Sequence, residues 1–187
     1  MSDFSIAKQL TGINEGGYVN DPNDKGGETY AGISRNNWSG WRGWLIIDGL
    51  KDTNGVSAAL INQKAKANVQ LTQLIWSFYK QNFWDINQLS LIHDQQLANT
   101  VYDFGVNSGT VRAAKYLQDS VKLVSAIKLS SDGIIGPLTL QAVNKSDPAK
   151  LTLIYNSKRQ AFYSSIAKGT QARFLKSWLS RIKPYKT

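Results

Sequence analysis

The sequence contains no cysteine and a single histidine, His93. The first absence excludes disulfides, thiolate metal sites and cysteine nucleophiles. The second argues against a histidine-built zinc site, which draws on two or three His or Cys ligands. A Ser-His-Asp triad would have to use His93, and no G-x-S-x-G elbow is present to carry the serine. His93, just before Asp94, reads instead as a partly exposed residue at a helix start. No metal or other cofactor is expected. Proline is scarce, with four in the chain, and neither a low-complexity tract nor a fixed-period repeat occurs, which argues against disorder. Long apolar runs are missing as well. No stretch approaches the roughly 18 residues of a membrane span. The opening residues, MSDFSIAKQL, carry Asp3 and lack an apolar run with a basic flank, so no secretory signal is expected. Synthesis in the cytoplasm is the expectation, with release by some other route if the protein acts outside it.

Acidic residues are absent from the last fifth of the chain. Residues 148–187 hold nine of the 22 basic residues and none of the 13 acidic ones. The preceding 147 residues balance at 13 of each, so the whole net charge of +9 lies in this tail. Such asymmetry points to an anionic partner: nucleic acid, anionic lipid or an anionic wall polymer. No nucleic-acid motif accompanies the charge, and nucleic acid is therefore not expected.

What is present suffices for a packed core. Hydrophobic residues make up 42% of the 187, six of them tryptophan, which fits one domain or one domain with a small subdomain. Residues 3–12 predict a short helix ended by Gly12 or by Gly16-Gly17. The glycine-rich stretch to about Gly43 predicts loop, with at most a short hairpin. Helical character resumes near Val56. Over 69–84, Leu71, Leu74, Ile75, Phe78 and Phe83 keep close to one face at 3.6-residue spacing. Leu97, Val101 and Phe104 form a stripe closed by Gly109, and a further helix is expected over 110–122. "SSDGIIGPLTLQAVN" predicts a turn and then a helix with Pro137 near its first position. A long helix follows Pro148 to about Lys168, a break falls at Gly169-Thr170, and a last helix covers about 171–183. The fold class is predominantly α with a small β element in the first third.

The stretch "INEGGYVNDPNDKGGETYAGIS", residues 13–34, gathers Glu15, Asp21, Asp24 and Glu28 among its glycines. An EF-hand frame starting at Asp21 would place Lys25 at its fifth position and Gly32 at its twelfth, both wrong for calcium. A solvated acidic turn is one reading of this spacing. Glycosidic cleavage is the other. That chemistry needs one carboxyl protonated near neutral pH, to donate to the leaving oxygen, and a second ionised, to activate water or stabilise positive charge on the sugar. Glu15, where a helix gives way to Gly16-Gly17, suits the acid. Asp24, in a polar turn, suits the base, and the Thr29 hydroxyl is placed to orient a water.

The motif from Glu15 to Ile33 resembles the N-terminal pattern of the glycoside hydrolase family 108 muramidases, which include many phage endolysins. The resemblance implies a lysozyme-like fold with Glu15 as catalytic acid. The Glu15–Asp24–Thr29 spacing is also similar to that of small phage lysozymes, where the gap before the threonine is usually one residue longer; either Thr29 or neighbouring Tyr30 then positions the water. "LANTVYDFGVNSGTVRAAKYLQ" and "DGIIGPLTLQAV" resemble the C-terminal peptidoglycan-binding region paired with these muramidases. The implied division is a catalytic region over 1–91 and a helical peptidoglycan-binding region over 92–187 that completes the fold. Asp103 and Asn107, four apart, share a helix face, and in the resembled family this pattern lines the substrate cleft.

Two further groups have more than one reading. Trp38, Trp41 and Trp44 stand three apart, and core anchoring is favoured over stacking on sugar rings. In the last helix Phe174, Leu175, Trp178, Leu179 and Ile182 fall on one face, and Arg173, Lys176, Arg181 and Lys183 on the other. That helix is either docked by its apolar face with its charges solvated, or a membrane-surface element that meets anionic outer-membrane lipid.

The function expected from these readings is that of an endolysin-type N-acetylmuramidase, a monomer that cleaves the β-1,4 bond between N-acetylmuramic acid and N-acetylglucosamine. It would reach the wall after pore-dependent release and lyse the bacterium. The alternatives are a lytic transglycosylase acting on the same bond and a non-enzymatic cationic wall- or membrane-binding module.

Overall fold

A computed structural model describes residues 1–11, 16–21, 26–51, 56–125, 127–182 and 184. The chain divides into two compact units, Gly12–Asn82 and a discontinuous one formed by Met1–Thr11 with Phe83–Thr187. Among the described residues no helix is long and apolar enough to cross a membrane.

The unit Gly12–Asn82 is built around a hairpin of β1 (Thr29–Tyr30) and β2 (Ile33–Ser34). The strands pair antiparallel, Thr29 with Ser34 and Tyr30 with Ile33. The turn residues Ala31 and Gly32 both have positive φ, 49° and 77°, the conformation that matches the twist of a two-residue hairpin. Alanine adopts this region at a cost. Here its amide donates to the Gly16 carbonyl at 3.0 Å and its carbonyl accepts from the Tyr79 hydroxyl at 2.7 Å, so both polar groups are held. Three helices complete the unit: α2 (Gly43–Lys51), α3 (Ala58–Ala67) and α4 (Val69–Tyr79). Ser57 caps α3 and Asn68 caps α4, each side chain accepting from an amide three residues on. Leu71, Ile75 and Phe78 of α4 are buried with Ile33, Ile47 and Ile61. Trp44 is 3% exposed and donates its Nε1 proton to the Trp38 carbonyl, the anchoring that the sequence favours.

The chain leaves α4 through a π turn (Lys80–Trp84) and two 3-10 turns (Asp85–Asn87 and Leu89–Leu91). In the discontinuous unit, α1 (Phe4–Thr11) packs on α5 (Gln95–Ser108). Phe4, Trp84 and Tyr102 meet edge to face, with centroids 5.7–5.8 Å apart. Every residue of α5 from Leu97 to Gly105 is buried, so this helix is enclosed on all sides rather than amphipathic. It starts at the Asp94 cap, ends at Gly109 (φ 94°), and packs on α6 (Thr110–Val124) and α8 (Pro148–Ile166). The turn before α7 (Pro137–Lys145) is pinned by buried Gln118, whose amide donates to Asp132 Oδ1 and the Ile134 carbonyl and whose oxygen accepts from Gly133 N. The DGIIGP stretch is thereby accounted for as a structural turn.

Two elements depart from the sequence expectation. The segment between Gly43 and Val56 contains α2, hidden because two of its nine residues are glycine. The single helix expected over about 171–183 is instead a 3-10 segment (Gly169–Phe174) followed by the six-residue α9 (Leu175–Ser180). The break at Gly169 lies where it was expected, at φ 55°. The chain is mostly helical with one small antiparallel sheet, as the sequence predicts.

Candidate active site in the glycine-rich loop

Glu15 and Asp24, the candidate acid and base, lie outside the described residues. The frame around them is described. Gly16, the residue after Glu15, has its carbonyl bonded to Ala31 N. A Cβ on Gly16 would lie 3.3 Å from Gly32 N, so glycine permits the backbone-to-backbone approach. Next along the chain, Tyr18 N donates to Asn62 Oδ1 at 2.6 Å. Val19 and Thr29 then exchange both backbone hydrogen bonds, at 2.9 and 2.8 Å. Four hydrogen bonds over Gly16–Val19 tie the chain that follows Glu15 to the hairpin and to α3.

Thr29 stands in β1, half-buried, with its hydroxyl donating to the Gly27 carbonyl at 3.1 Å. Tyr30 is 5% exposed, and burial raises its pKa, which keeps the phenol neutral. Asp21 is exposed.

Glu28, next to Thr29, enters an ion network that the sequence reading did not identify. Its carboxylate oxygens lie 2.6 Å from Arg35 Nε and 2.7 Å from Lys51 Nζ. Asp48 pairs with the same two cations, at 2.6 and 2.7 Å. The hydrogen bond from Arg35 holds the Asp48 carboxyl below its usual pKa. Burial works against the charge on Lys51, but its bonds to Asp48 and Glu28 outweigh it and raise its pKa. Tyr18 is raised first by burial and then by its bond to Glu28. The network balances two carboxylates against two cations and clamps β1 to α2. Glu28 is thus committed to structure. The spacing Glu28–Arg35–Asp48–Lys51 follows no local period, so only the fold could reveal it.

Asp103 and Asn107 belong to the other unit. They share a face of α5, and the Asn107 amide donates to the Asp103 carbonyl at 2.7 Å. The Asp103 side chain is 1% exposed. One carboxylate oxygen accepts from Arg159 Nη2 at 2.5 Å, the other from Arg181 Nε and Nη2 at 2.8 and 2.6 Å. A carboxylate so enclosed is an anchor for three segments of chain. Arg159, itself fully buried on α8, carries no sequence signal beyond standing in a helix of mixed character.

The C-terminal segment also takes a definite place. Arg181 is bonded to Asp103 and its side chain stays 29% exposed. Trp178 stacks on Tyr163 at 5.7 Å with 23° between the rings. Arg173 and Lys176 are exposed, and Lys183 lies outside the described residues. Among the described residues no cluster of His, Cys, Asp or Glu could hold a metal ion.

Comparison with known proteins identifies two family matches along the chain. A family model described as glycosyl hydrolase 108 matches residues 9–109. A second, described as a "Predicted Peptidoglycan domain", matches residues 112–183. Among solved structures, that of SagA from Brucella abortus is similar at 29% identity and a TM-score of 0.64, covering 96% of this chain and 90% of that one. No curated protein matches the chain.

Proposed function

Because this chain belongs to the glycosyl hydrolase 108 family and carries a peptidoglycan domain behind it, it is a peptidoglycan hydrolase acting on the cell wall, and we propose that it is an N-acetylmuramidase of the endolysin type. The bond cleaved in this reading is the β-1,4 link between N-acetylmuramic acid and N-acetylglucosamine. One observation carries the assignment of the acid: four hydrogen bonds over Gly16–Val19 hold the chain next to Glu15, three to the Thr29–Ser34 hairpin and one to Asn62 of α3. General acid catalysis requires a carboxyl fixed relative to the bond it protonates. A glycine-rich acidic turn that served only solvation would not need such a frame.

Glu15 donates its proton to the leaving oxygen as positive charge develops on the sugar. Asp24, nine positions later in sequence, activates water, and the Thr29 hydroxyl orients it. The sequence places all three within 15 residues, so one short stretch of chain supplies the reacting groups. The exposed cations of the C-terminal segment draw the protein to its anionic wall. Released through a membrane pore, such an enzyme lyses the cell from within.

The deciding experiment compares wild type with Glu15→Gln on isolated sacculi. The substitution keeps the size of the side chain and removes the transferable proton. Loss of general acid catalysis costs about 10²–10⁴-fold, so turbidity clearance should fall by at least about 100-fold. Retention of activity within about threefold would sink the assignment. Mass spectrometry of the fragments separates hydrolysis, with reducing ends, from transglycosylation, with anhydro ends.

A further inference from the structure

The unit Gly12–Asn82 contains a groove of about 550 Å³ between residues 37–42 and α4 with the start of the π turn. That volume lies within the roughly 300–1,000 Å³ of small-ligand sites. Its base is aromatic. Trp38 is 39% exposed although it belongs to a core cluster, and Phe78 meets its ring edge to face at 4.8 Å and 89°. Trp41 meets the same phenyl ring at 6.2 Å, and its Nε1 donates to the Leu74 carbonyl at 3.4 Å. The Trp41 ring lies over Gly43, where a Cβ would come within 2.3 Å of it, so the glycine is required by the ring's position. The two indoles are therefore fixed before any ligand arrives.

The rim is of another kind. Asn37, Ser39, Ser77 and Gln81 are exposed around the groove, and their amides and hydroxyls both donate and accept. Arg42 is the one charged residue among the described residues that line it. A rigid indole beside a rim of amides and hydroxyls with a single cation matches a pyranose, which has an apolar C–H face and a polar edge. It does not match a stem peptide, whose carboxylates require more than one cation. An N-acetyl group adds a methyl for the aromatic base and an amide for the rim.

We propose that this groove is a sugar subsite that holds an N-acetylated hexosamine unit of the glycan strand by stacking on Trp38. The inference rests on the glycan-cleaving function above and assigns to that reaction a subsite outside its reacting groups. Trp38 is a binding residue here and takes no part in proton transfer.

The test uses the full chain carrying Glu15→Gln, so that ligand is bound and not consumed. Titration calorimetry with the N-acetylglucosamine tetrasaccharide reads the affinity. Trp38→Ala should weaken binding about tenfold or more, while Trp38→Phe, which keeps an aromatic face, should stay within about threefold. Ser77→Trp, at an exposed position on α4, fills the groove without disturbing the core and should also weaken binding at least tenfold. A sugar-free stem peptide should neither bind nor compete. The proposal is overturned by absence of tetrasaccharide binding, by Ser77→Trp binding as tightly as its parent, by equal affinity in Trp38→Ala and Trp38→Phe, or by competition from the stem peptide. Failure of the catalytic assignment is separately visible, because a Glu15→Gln protein that still cleaves would clear isolated sacculi, whatever its affinity for the tetrasaccharide.

Discussion

Arg181 and Asp103 stand 78 positions apart in sequence and 2.6 Å apart in the structure. The pair joins the C-terminal segment to the most enclosed helix of its unit, and Arg159 holds the opposite oxygen of the same carboxylate at 2.5 Å. Two guanidinium groups thus depend on one buried anion. Removing that anion leaves the fully buried Arg159 charge without its carboxylate, and breaking such a pair costs about 3–5 kcal/mol. Asp103→Asn should lower unfolding free energy by that amount. Arg181 is 29% exposed and solvent compensates part of its loss, so Arg181→Ala should cost less, about 1–3 kcal/mol. Urea unfolding of the two variants measures both. Equal costs would mean that the carboxylate is not the centre of the cluster.

Asn62 should act on activity without meeting substrate. Its Oδ1 is the acceptor for Tyr18 N, three residues after Glu15. Asn62→Ala leaves that amide without its partner and frees the chain beside the acid. Sacculus hydrolysis should fall several-fold in kcat with little change in KM, at temperatures where the protein remains folded. Asn62→Asp keeps an acceptor oxygen and should recover most of the loss. A fall confined to KM would assign Asn62 to substrate binding instead.

Tyr79 predicts an alkaline limit. Burial raises its pKa from 10.0 to about 12. The unfolded chain therefore releases this proton first, and stability contributed by the neutral phenol is complete below pH 10 and declines as pH rises toward 12. Two units correspond to roughly 2–3 kcal/mol. Tyr79→Phe loses the bond to the Ala31 carbonyl at every pH, so it should be less stable at pH 8, with the difference narrowing by pH 11. A gap that stays constant over this range would show that Tyr79 does not govern the alkaline limit.

The exposed cations of the C-terminal segment can be tested apart from its anchor. Arg173→Glu with Lys176→Glu reverses two charges and leaves Arg181 on Asp103. Each cation near an anionic surface contributes about 1 kcal/mol, screened by salt. The double variant should cleave isolated sacculi at low salt with weaker adsorption to them, and the difference should vanish as salt rises. Wild-type adsorption at low salt would show that these charges are merely solvated.

The sequence exposes those features whose cause is local. Asp94, Gly109, Pro137 and Asp147 mark helix ends through caps and fixed φ values, and the corresponding helices start or stop within about two residues of expectation. The candidate acid, base and threonine are legible because one short stretch of sequence carries them. What was hidden depends on contacts far apart in the chain. Nothing about Asp103 in sequence tells a polar helix face from a carboxylate enclosed by Arg159 and Arg181. Helix α2 was obscured by Gly43 and Gly49, and Gly43 is there to admit the Trp41 ring rather than to end a helix. Asn62 likewise stands in an unremarkable polar helix, and its acceptor finds Tyr18 44 positions earlier.

The anchoring of Asp103 also fixes an order of events during synthesis. A ribosome adds about 5–20 residues per second, so Arg181 follows Asp103 by roughly 4–16 s. Helix α1 waits longer still, because its partner α5 is made some 90 residues later. Until Arg181 is made, the only cation of this cluster available to the Asp103 carboxylate is Arg159, itself 56 positions later, and the discontinuous unit cannot close. The Gly12–Asn82 segment, complete by then, has the opportunity to fold first. The buried carboxylate therefore acts as a timer: this unit reaches its native state only after the strongly basic end of the chain has been translated.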